Sequence, residues 1–251
     1  MRAVFFSDVH LLREDADKVE LVQGFLKDCC ADADMVFVLG DLFEFYHGYN
    51  GYIYPWYKGV IDTLKELTES GKEVYFLEGN HELGMGAFFK TYTGVACARD
   101  MSIHLDGKKV FVSHGDPSDA FCLGNFLKTP FVYMIMDVLG PVFTWKVAKI
   151  AGFFLSRRVK PYSEKVKDIF RKNARIKLDE GYDVVIYGHS HVADRIEFDG
   201  EGKQKIYLNT GDFGKNMDYV VYDSNSGFTQ KKYIGNIAGE KNCSQRDINK
   251  I

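Results

Sequence analysis

Five short apolar runs in this sequence each end in a cluster of metal-ligating or acid–base side chains, and no other feature restricts the possible folds as sharply. AVFF (3–6) runs into Ser7-Asp8-Val9-His10, MVFVL (35–39) into Gly40-Asp41, and EVYFL (73–77) into Gly79-Asn80-His81-Glu82. KVFVS (109–113) leads to His114-Gly115-Asp116, and DVVIY (183–187) leads to Gly188-His189-Ser190-His191. The runs are short, β-branched or aromatic, and bounded by turn residues, which predicts buried strands. Between the first three lie stretches at roughly 15–30 and 55–70 with apolar residues at helical spacing, the second stopping at Ser70-Gly71. This alternation implies a largely parallel sheet with helices on its faces. The carboxyl ends of such strands are where ligands bind. Five of the seven histidines (10, 81, 114, 189 and 191) fall in these clusters, which random placement would not produce. After residue 192, RIEF, KIYLN, YVVYD and TQKKYI follow in meander-like order and predict a second, antiparallel-rich sheet.

The side-chain types point to metal chemistry. Asp8, His10, Asp41 and His191 would supply one mixed carboxylate–imidazole site. Asp41, Asn80, His114 and His189 would supply a second, with Asp41 bridging. Neither set contains a thiolate, which disfavours structural zinc and favours Mn²⁺, Fe²⁺ or Zn²⁺ in a catalytic role. Two ions about 3.5–4 Å apart can provide a hydroxide nucleophile and stabilise phosphoryl oxygens. The predicted reaction is therefore metal-assisted hydrolysis of a phosphoester or phosphoanhydride. The glycines before Asp41, Asn80 and His189 are expected to let the backbone turn sharply at the strand ends.

One segment fits neither pattern. Residues 130–155 hold eighteen apolar residues in twenty-six, too many for an ordinary surface helix. Asp137, Lys146 and Lys149 interrupt the run, and Gly140-Pro141 breaks it. The expectation is an apolar hairpin of two short helices, a cap over a lipid-like substrate or at a membrane interface, with an ordinary helical core segment as the alternative. From Lys128 to Lys165 the chain carries +5, and the rest carries −8. A basic island of this kind suggests a locally docked anionic partner. The net charge of −3 argues against nucleic acid as that partner.

Taken in order, D-x-H, G-D, G-N-H-E, H-G and G-H-x-H over residues 7–192 resemble the calcineurin-like metallophosphoesterase superfamily. The resemblance implies a four-layer αββα metallophosphoesterase sandwich with a dinuclear centre at the joined strand ends. It also implies that His81 contacts the phosphate and protonates the leaving group, with Asn80 beside it. Within the superfamily, FSDVHL, GDLFEF (40–45), HGD (114–116) and GHSH (188–191) are similar in wording and spacing to the UDP-2,3-diacylglucosamine hydrolase family. That family uses an insertion between these histidines as a helical lid gripping acyl chains. The likeness implies attack on the α-phosphate of an acylated UDP-sugar, usually with Mn²⁺, at a membrane surface that the lid touches peripherally. At Gly79-Asn80-His81-Glu82 the chain keeps the wider superfamily pattern where the hydrolase family commonly has G-N-R-D.

The implied organisation is a catalytic domain at 1–116 and 166–238, a helical lid insertion at 117–165 and a polar tail at 239–251. Arg157, Arg158, Lys160 and Lys167 are candidates for diphosphate binding by charge, and Asp119 for a contact to the sugar. His47 and His104 lack any surrounding motif and read as structural, although His47 follows the GDLFEF block closely enough to line a pocket rim. The loop containing Tyr49, Tyr52, Tyr54, Trp56 and Tyr57 is expected to pack beneath the lid rather than to stack on a base. Five cysteines without a C-x-x-C pair suit a reducing compartment, and the start lacks a secretory pattern, so a cytoplasmic location is expected. A soluble metallophosphodiesterase acting on nucleotides or phosphoproteins is the alternative activity. A non-enzymatic scaffold would be expected to have lost ligand residues, and here every position is filled.

Overall fold

The computed structural model describes residues 1–115, 128–156, 164–200 and 203–235. The first three apolar runs form β1 (Arg2–Phe6), β2 (Met35–Val38) and β3 (Glu73–Leu77). They are joined by α1 (Ala16–Phe25), which continues as a π-helical turn over Leu26–Cys30, and by α2 (Lys58–Glu69). The strands pair in parallel, Val4 opposite Val36 and Val36 opposite Val74. Their unbroken apolarity follows from burial on both faces. Val4, Phe6, Val36 and Val38 pack under the two helices, whereas Ala3, Phe5, Phe37 and Leu39 meet a second sheet. Beyond β3, α3 (Gly86–Thr93) leads to a short edge strand, β4 (Ala96–Ala98).

The second sheet has the order β5-β6-β7-β9-β8, built from β5 (Asp100–Leu105), β6 (Lys108–Ser113), β7 (Val184–Tyr187), β8 (Asp194–Gly200) and β9 (Lys203–Asn209). Ile103, Val110, Val112, Val184, Ile186 and Leu208 face the first sheet and fill the space between the two. On the outer face, Phe170, Ala174 and Leu178 of the helix Glu164–Asp179 cover Phe111, Val185, Tyr187 and Tyr207. The result is four layers, helix–sheet–sheet–helix.

The segments after residue 192 do not form one meander. β8 and β9 close the second sheet, but β10 (Asp218–Asp223) and β11 (Gly227–Lys232) join the first, with β10 antiparallel to β1. Side-chain alternation gives the reason. Tyr219 and Val221 join the core beneath the helices, while Val220 and Tyr222 join the core between the sheets. A strand apolar on both faces belongs inside a covered sheet, not at the rim of a solvated meander.

Between β6 and β7 lie α4 (Pro130–Leu139) and α5 (Pro141–Ser156), bent by 115° at Gly140-Pro141. Gly140 takes φ +76, open to glycine at little cost, and Pro141 starts the new helix. Among the described residues no single helix is long and apolar enough to cross a membrane. Val132, Met136 and Trp145 pack into the core under the first sheet's helices, while Phe131, Met134, Val138, Phe143, Val147 and Ile150 are exposed.

Candidate metal centre

The ends of β1, β2, β3, β6 and β7 converge, and the chain deforms there. Among the described residues seven non-glycine positions have positive φ, and five of them are Asp8, His10, Asp41, His189 and His191. Each such residue costs on the order of 1 kcal/mol or more, so strain is concentrated at one site. Backbone bonds between the strand-end loops hold the conformation: the amides of Val9 and His10 donate to the Asp41 carbonyl (both 2.9 Å), and that of Leu11 to Leu42 (3.0 Å).

Two groups of ligand atoms result. Nε2 of His10 and Nε2 of His191 lie 3.3 Å apart, with Asp8 Oδ1 at 3.9 and 3.4 Å from them. His114 Nε2 lies 3.3 Å from Asp41 Oδ2, 3.1 Å from Asn80 Oδ1 and 2.9 Å from His189 Nδ1. Asp41 Oδ2 also lies 3.7 Å from His10 Nε2, so it stands between the groups, as a bridging carboxylate must. Asp8 is fully buried, and its Oδ1 accepts no hydrogen bond. A buried carboxylate oxygen left without a donor, facing two imidazole nitrogens, fits a divalent cation. The groups Asp8–His10–His191 and Asp41–His114–His189 each have the donor types and spacing to hold one.

The imidazoles are aimed from behind. His114 Nδ1 donates to the Leu39 carbonyl (2.7 Å), and His191 Nδ1 to Asp212 Oδ2 (2.9 Å). His10 Nδ1 lies 3.3 Å from Glu44 Oε2. Such partners fix ring orientation and turn Nε2 toward the centre. His81 Nδ1 donates to the Glu44 carbonyl (2.6 Å), and its amide donates to Asp41 Oδ1 (3.0 Å). Glu82 is buried and clamps two loops together, accepting from the amides of Asp41 (2.9 Å), Gly79 (2.9 Å) and Phe43 (3.2 Å).

Charge follows geometry. Burial works against the Asp41 carboxylate, but His114, His81 and His10 outweigh it and hold its pKa well below the usual carboxylate range. Glu82 goes the other way, pushed up to about 7 by burial and by the charge of Asp41. Burial opposes the charged form of His81, yet the carboxylates of Asp41 and Glu44 raise its pKa above the ordinary histidine value.

The structure thus brings together all the sequence-predicted ligands, Asp8, His10, Asp41, Asn80, His114, His189 and His191, with His81 at their edge. The expected role of the glycines needs correcting. Gly40 has φ +81, but Gly79 and Gly188 have no positive φ. They are needed for close approach: a Cβ at Gly79 would sit 2.2 Å from Asp41 Oδ1, and one at Gly188 would sit 2.5 Å from Ser7 Oγ. Asp116, Asp119, Arg157, Arg158 and Lys160 lie outside the described residues. Lys167 is half-buried, one turn before Phe170, whose ring rests 5.8 Å from that of His189. His47 is buried and bonded, as a structural residue should be, while His104 is exposed on β5. Tyr54 and Tyr57 are buried, and Trp56 packs on Trp145 of α5 at 5.1 Å. Sequence reasoning missed Glu44, Asp212 and Lys128, whose ammonium donates to the Gly79 carbonyl (2.5 Å). Asp212 was within reach of the same rule, because KIYLNTGD is a sixth apolar run ending in an acid.

Two sheets between helical layers, with carboxylates and imidazoles converging at the joined strand ends, define a metallophosphoesterase: a metal-dependent hydrolase of phosphate esters or diphosphates. The chain belongs to the calcineurin-like phosphoesterase family, whose model matches residues 1–193. Among its relatives is the UDP-2,3-diacylglucosamine hydrolase of Aliivibrio fischeri, 28% identical over 245 residues, covering 92% of this chain and 99% of the relative. The enzyme of the same name from Azotobacter vinelandii is 26% identical over 245 residues, covering 91% and 97%. A solved archaeal phosphodiesterase superposes with a TM-score of 0.46 at 14% identity, covering 92% of this chain and 98% of its own.

Proposed function

We propose that the protein cleaves the diphosphate of UDP-2,3-diacylglucosamine at the α-phosphate, releasing UMP and 2,3-diacylglucosamine 1-phosphate, a step of lipid A biosynthesis. The observation that carries this reading is the apolar helix pair beside the metal-site loops, exposing Phe131, Met134, Val138, Phe143, Val147 and Ile150. A small polar substrate gives no reason for such a surface. The names of the relatives, matched along nearly their full length, support the same substrate. In this reading the pair is a lid, and its outer face rests on the inner surface of the cytoplasmic membrane.

Asp8, His10 and His191 would hold one divalent ion and Asn80, His114 and His189 a second, with Asp41 placed to serve both. Nitrogen and oxygen donors without thiolate suit Mn²⁺, with Fe²⁺ or Zn²⁺ as competitors. Metal bound at these residues would supply charge neutralisation at phosphoryl oxygens and a lowered pKa for water. The chain's own groups do the rest. His81, with Nδ1 committed to the Glu44 carbonyl, offers Nε2 to a phosphate oxygen or to the leaving group. The Asp41 and Glu44 carboxylates favour its protonated form, as an acid requires. Lys167, one turn before the Phe170 that packs against His189, is the candidate for a diphosphate contact among the described residues.

The test is UMP release by Mn²⁺-loaded protein from UDP-2,3-diacylglucosamine, beside bis-p-nitrophenyl phosphate hydrolysis. Burial of only four methylenes, at about 0.8 kcal/mol each, gives a preference on the order of 100-fold in kcat/KM. Cleavage of the generic ester alone would leave a metallophosphodiesterase for soluble substrates. That result would remove the lipid reading.

A further inference from the structure

Asp137 is the one charged residue in the ten residues of α4, PFVYMIMDVL, and its carboxylate meets the buried ring of His47. His47 Nδ1 lies 3.0 Å from the Leu83 carbonyl, and Nε2 lies 3.0 Å from Asp137 Oδ1. Tyr49 and Tyr133 flank the ring, with centroids at 4.6 and 5.2 Å, so it has little freedom to turn. Leu83 belongs to a short ladder between the two loops that carry Asp41 and His81. The Tyr46 amide donates to the His81 carbonyl (3.0 Å), the Leu83 amide to Tyr46 (2.8 Å), and the Gly48 amide to Gly84 (2.9 Å). A single imidazole therefore links a helix of the insertion to the backbone that places the metal-site loops.

We propose that the His47–Asp137 pair is a latch that seats the helix pair on the catalytic domain, and that Asp137 is a positioning residue for substrate binding under the lid. The second half rests on the function proposed above. Exposed ion pairs hold little, and the Asp137 side chain is 60% exposed, but its partner is only 6% exposed. Removing Asp137 leaves a buried ring nitrogen without its hydrogen-bond partner, a larger penalty than loss of a surface pair. Tyr49 Oη adds a bond to the Met136 carbonyl (3.2 Å), adjacent to Asp137 on the same turn.

The molecule carries its own reporter. Its two tryptophans, Trp56 in the catalytic domain and Trp145 in α5, pack together at the seam, and the Arg13 guanidinium lies 4.9 Å from one ring and 5.8 Å from the other. All tryptophan emission thus comes from the contact that the latch is proposed to keep closed.

The variant to make is Asp137→Ala. Alanine is the best helix former, and an exposed side chain leaves no cavity, so α4 itself is retained. Full-length protein is compared with wild type by acrylamide quenching of tryptophan and by steady-state kinetics on UDP-2,3-diacylglucosamine. D137A is expected to quench more readily with a red-shifted emission, and to raise KM about fivefold with a smaller change in kcat, the equivalent of one net hydrogen bond. D137N keeps a side-chain amide that can pair with His47 Nε2 and is expected to restore both readings most of the way. Wild-type quenching in D137A would overturn the latch. Altered quenching with an unchanged KM would overturn the positioning role. If wild type does not cleave the lipid, the function proposed above fails, while quenching still decides the latch.

Discussion

Replacing Gly79 by alanine tests whether placement of Asp41 controls the metal centre. The backbone at Gly79 has no positive φ, so alanine brings no conformational strain of its own. The whole effect is steric. The new Cβ would lie 2.2 Å from Asp41 Oδ1 and 2.6 Å from the Asp41 amide, where real contacts stay beyond 3.0 Å, so the gap must open by at least 0.8 Å. Asp41 stands between both ligand groups and also accepts from the His81 amide, so the shift disturbs both groups and the placement of His81 together. Displacement of about 1 Å at a reacting centre costs on the order of 100-fold in rate. Overpacking costs about 1–3 kcal/mol, and at about 2–4 °C per kcal/mol for a chain of this size the Tm falls by roughly 2–12 °C. The assay is bis-p-nitrophenyl phosphate hydrolysis with metal content by mass spectrometry, and Gly235→Ala, which has no positive φ and meets only ordinary contacts at 3.4 Å and beyond, is the control. If G79A retained full metal content and kcat/KM within about tenfold of wild type, the argument from close approach would be wrong.

Three further outcomes are expected. Asp212→Ala removes the carboxylate behind His191 and should weaken Mn²⁺ binding by about 10- to 100-fold in calorimetry, as loss of an outer partner does elsewhere; unchanged affinity would show that His191 does not bind metal. Saturating Mn²⁺ at about 100 times its Kd should stabilise the fold by about 2.7 kcal/mol per site, read as a clear rise in Tm that EDTA reverses, and a flat Tm would count against the ligand assignment. Phe143→Glu and Val138→Glu change exposed side chains and should alter stability by only about 0.5 kcal/mol. Both should nonetheless reduce cosedimentation with anionic lipid vesicles, and retained binding would count against the proposed membrane role of the helix pair.

The metal-site residues were legible because their signal is local and repeated. An apolar run followed by His, Asp or Asn states where a strand ends and what it carries there, and five such statements agree. Asp212 obeys the same grammar but was passed over, because KIYLN read as part of a meander rather than as a parallel strand beside β7. Glu44 was visible only as one letter of GDLFEF. Its service to both His10 and His81 exists only once the β2 and β3 loops lie side by side. β4 and β5 were missed for the opposite reason. ACARDMSIHL is short, interrupted by charge and lies at sheet edges, where hydrophobic pattern is weakest.

By itself, the sequence determined the strand-and-helix alternation, the candidate ligand set and the break at Gly140-Pro141, since each follows from side-chain chemistry within a few residues. Tertiary structure decided everything that needs two distant segments to choose each other. It sent β10 to β1 rather than to β8, because both of its apolar faces had to be covered. It gave Gly79 and Gly188 their roles as points of close approach, which no backbone propensity announces. And it joined His47 to Asp137 across ninety residues, because a buried imidazole needs a polar partner and α4 brings one within 3.0 Å.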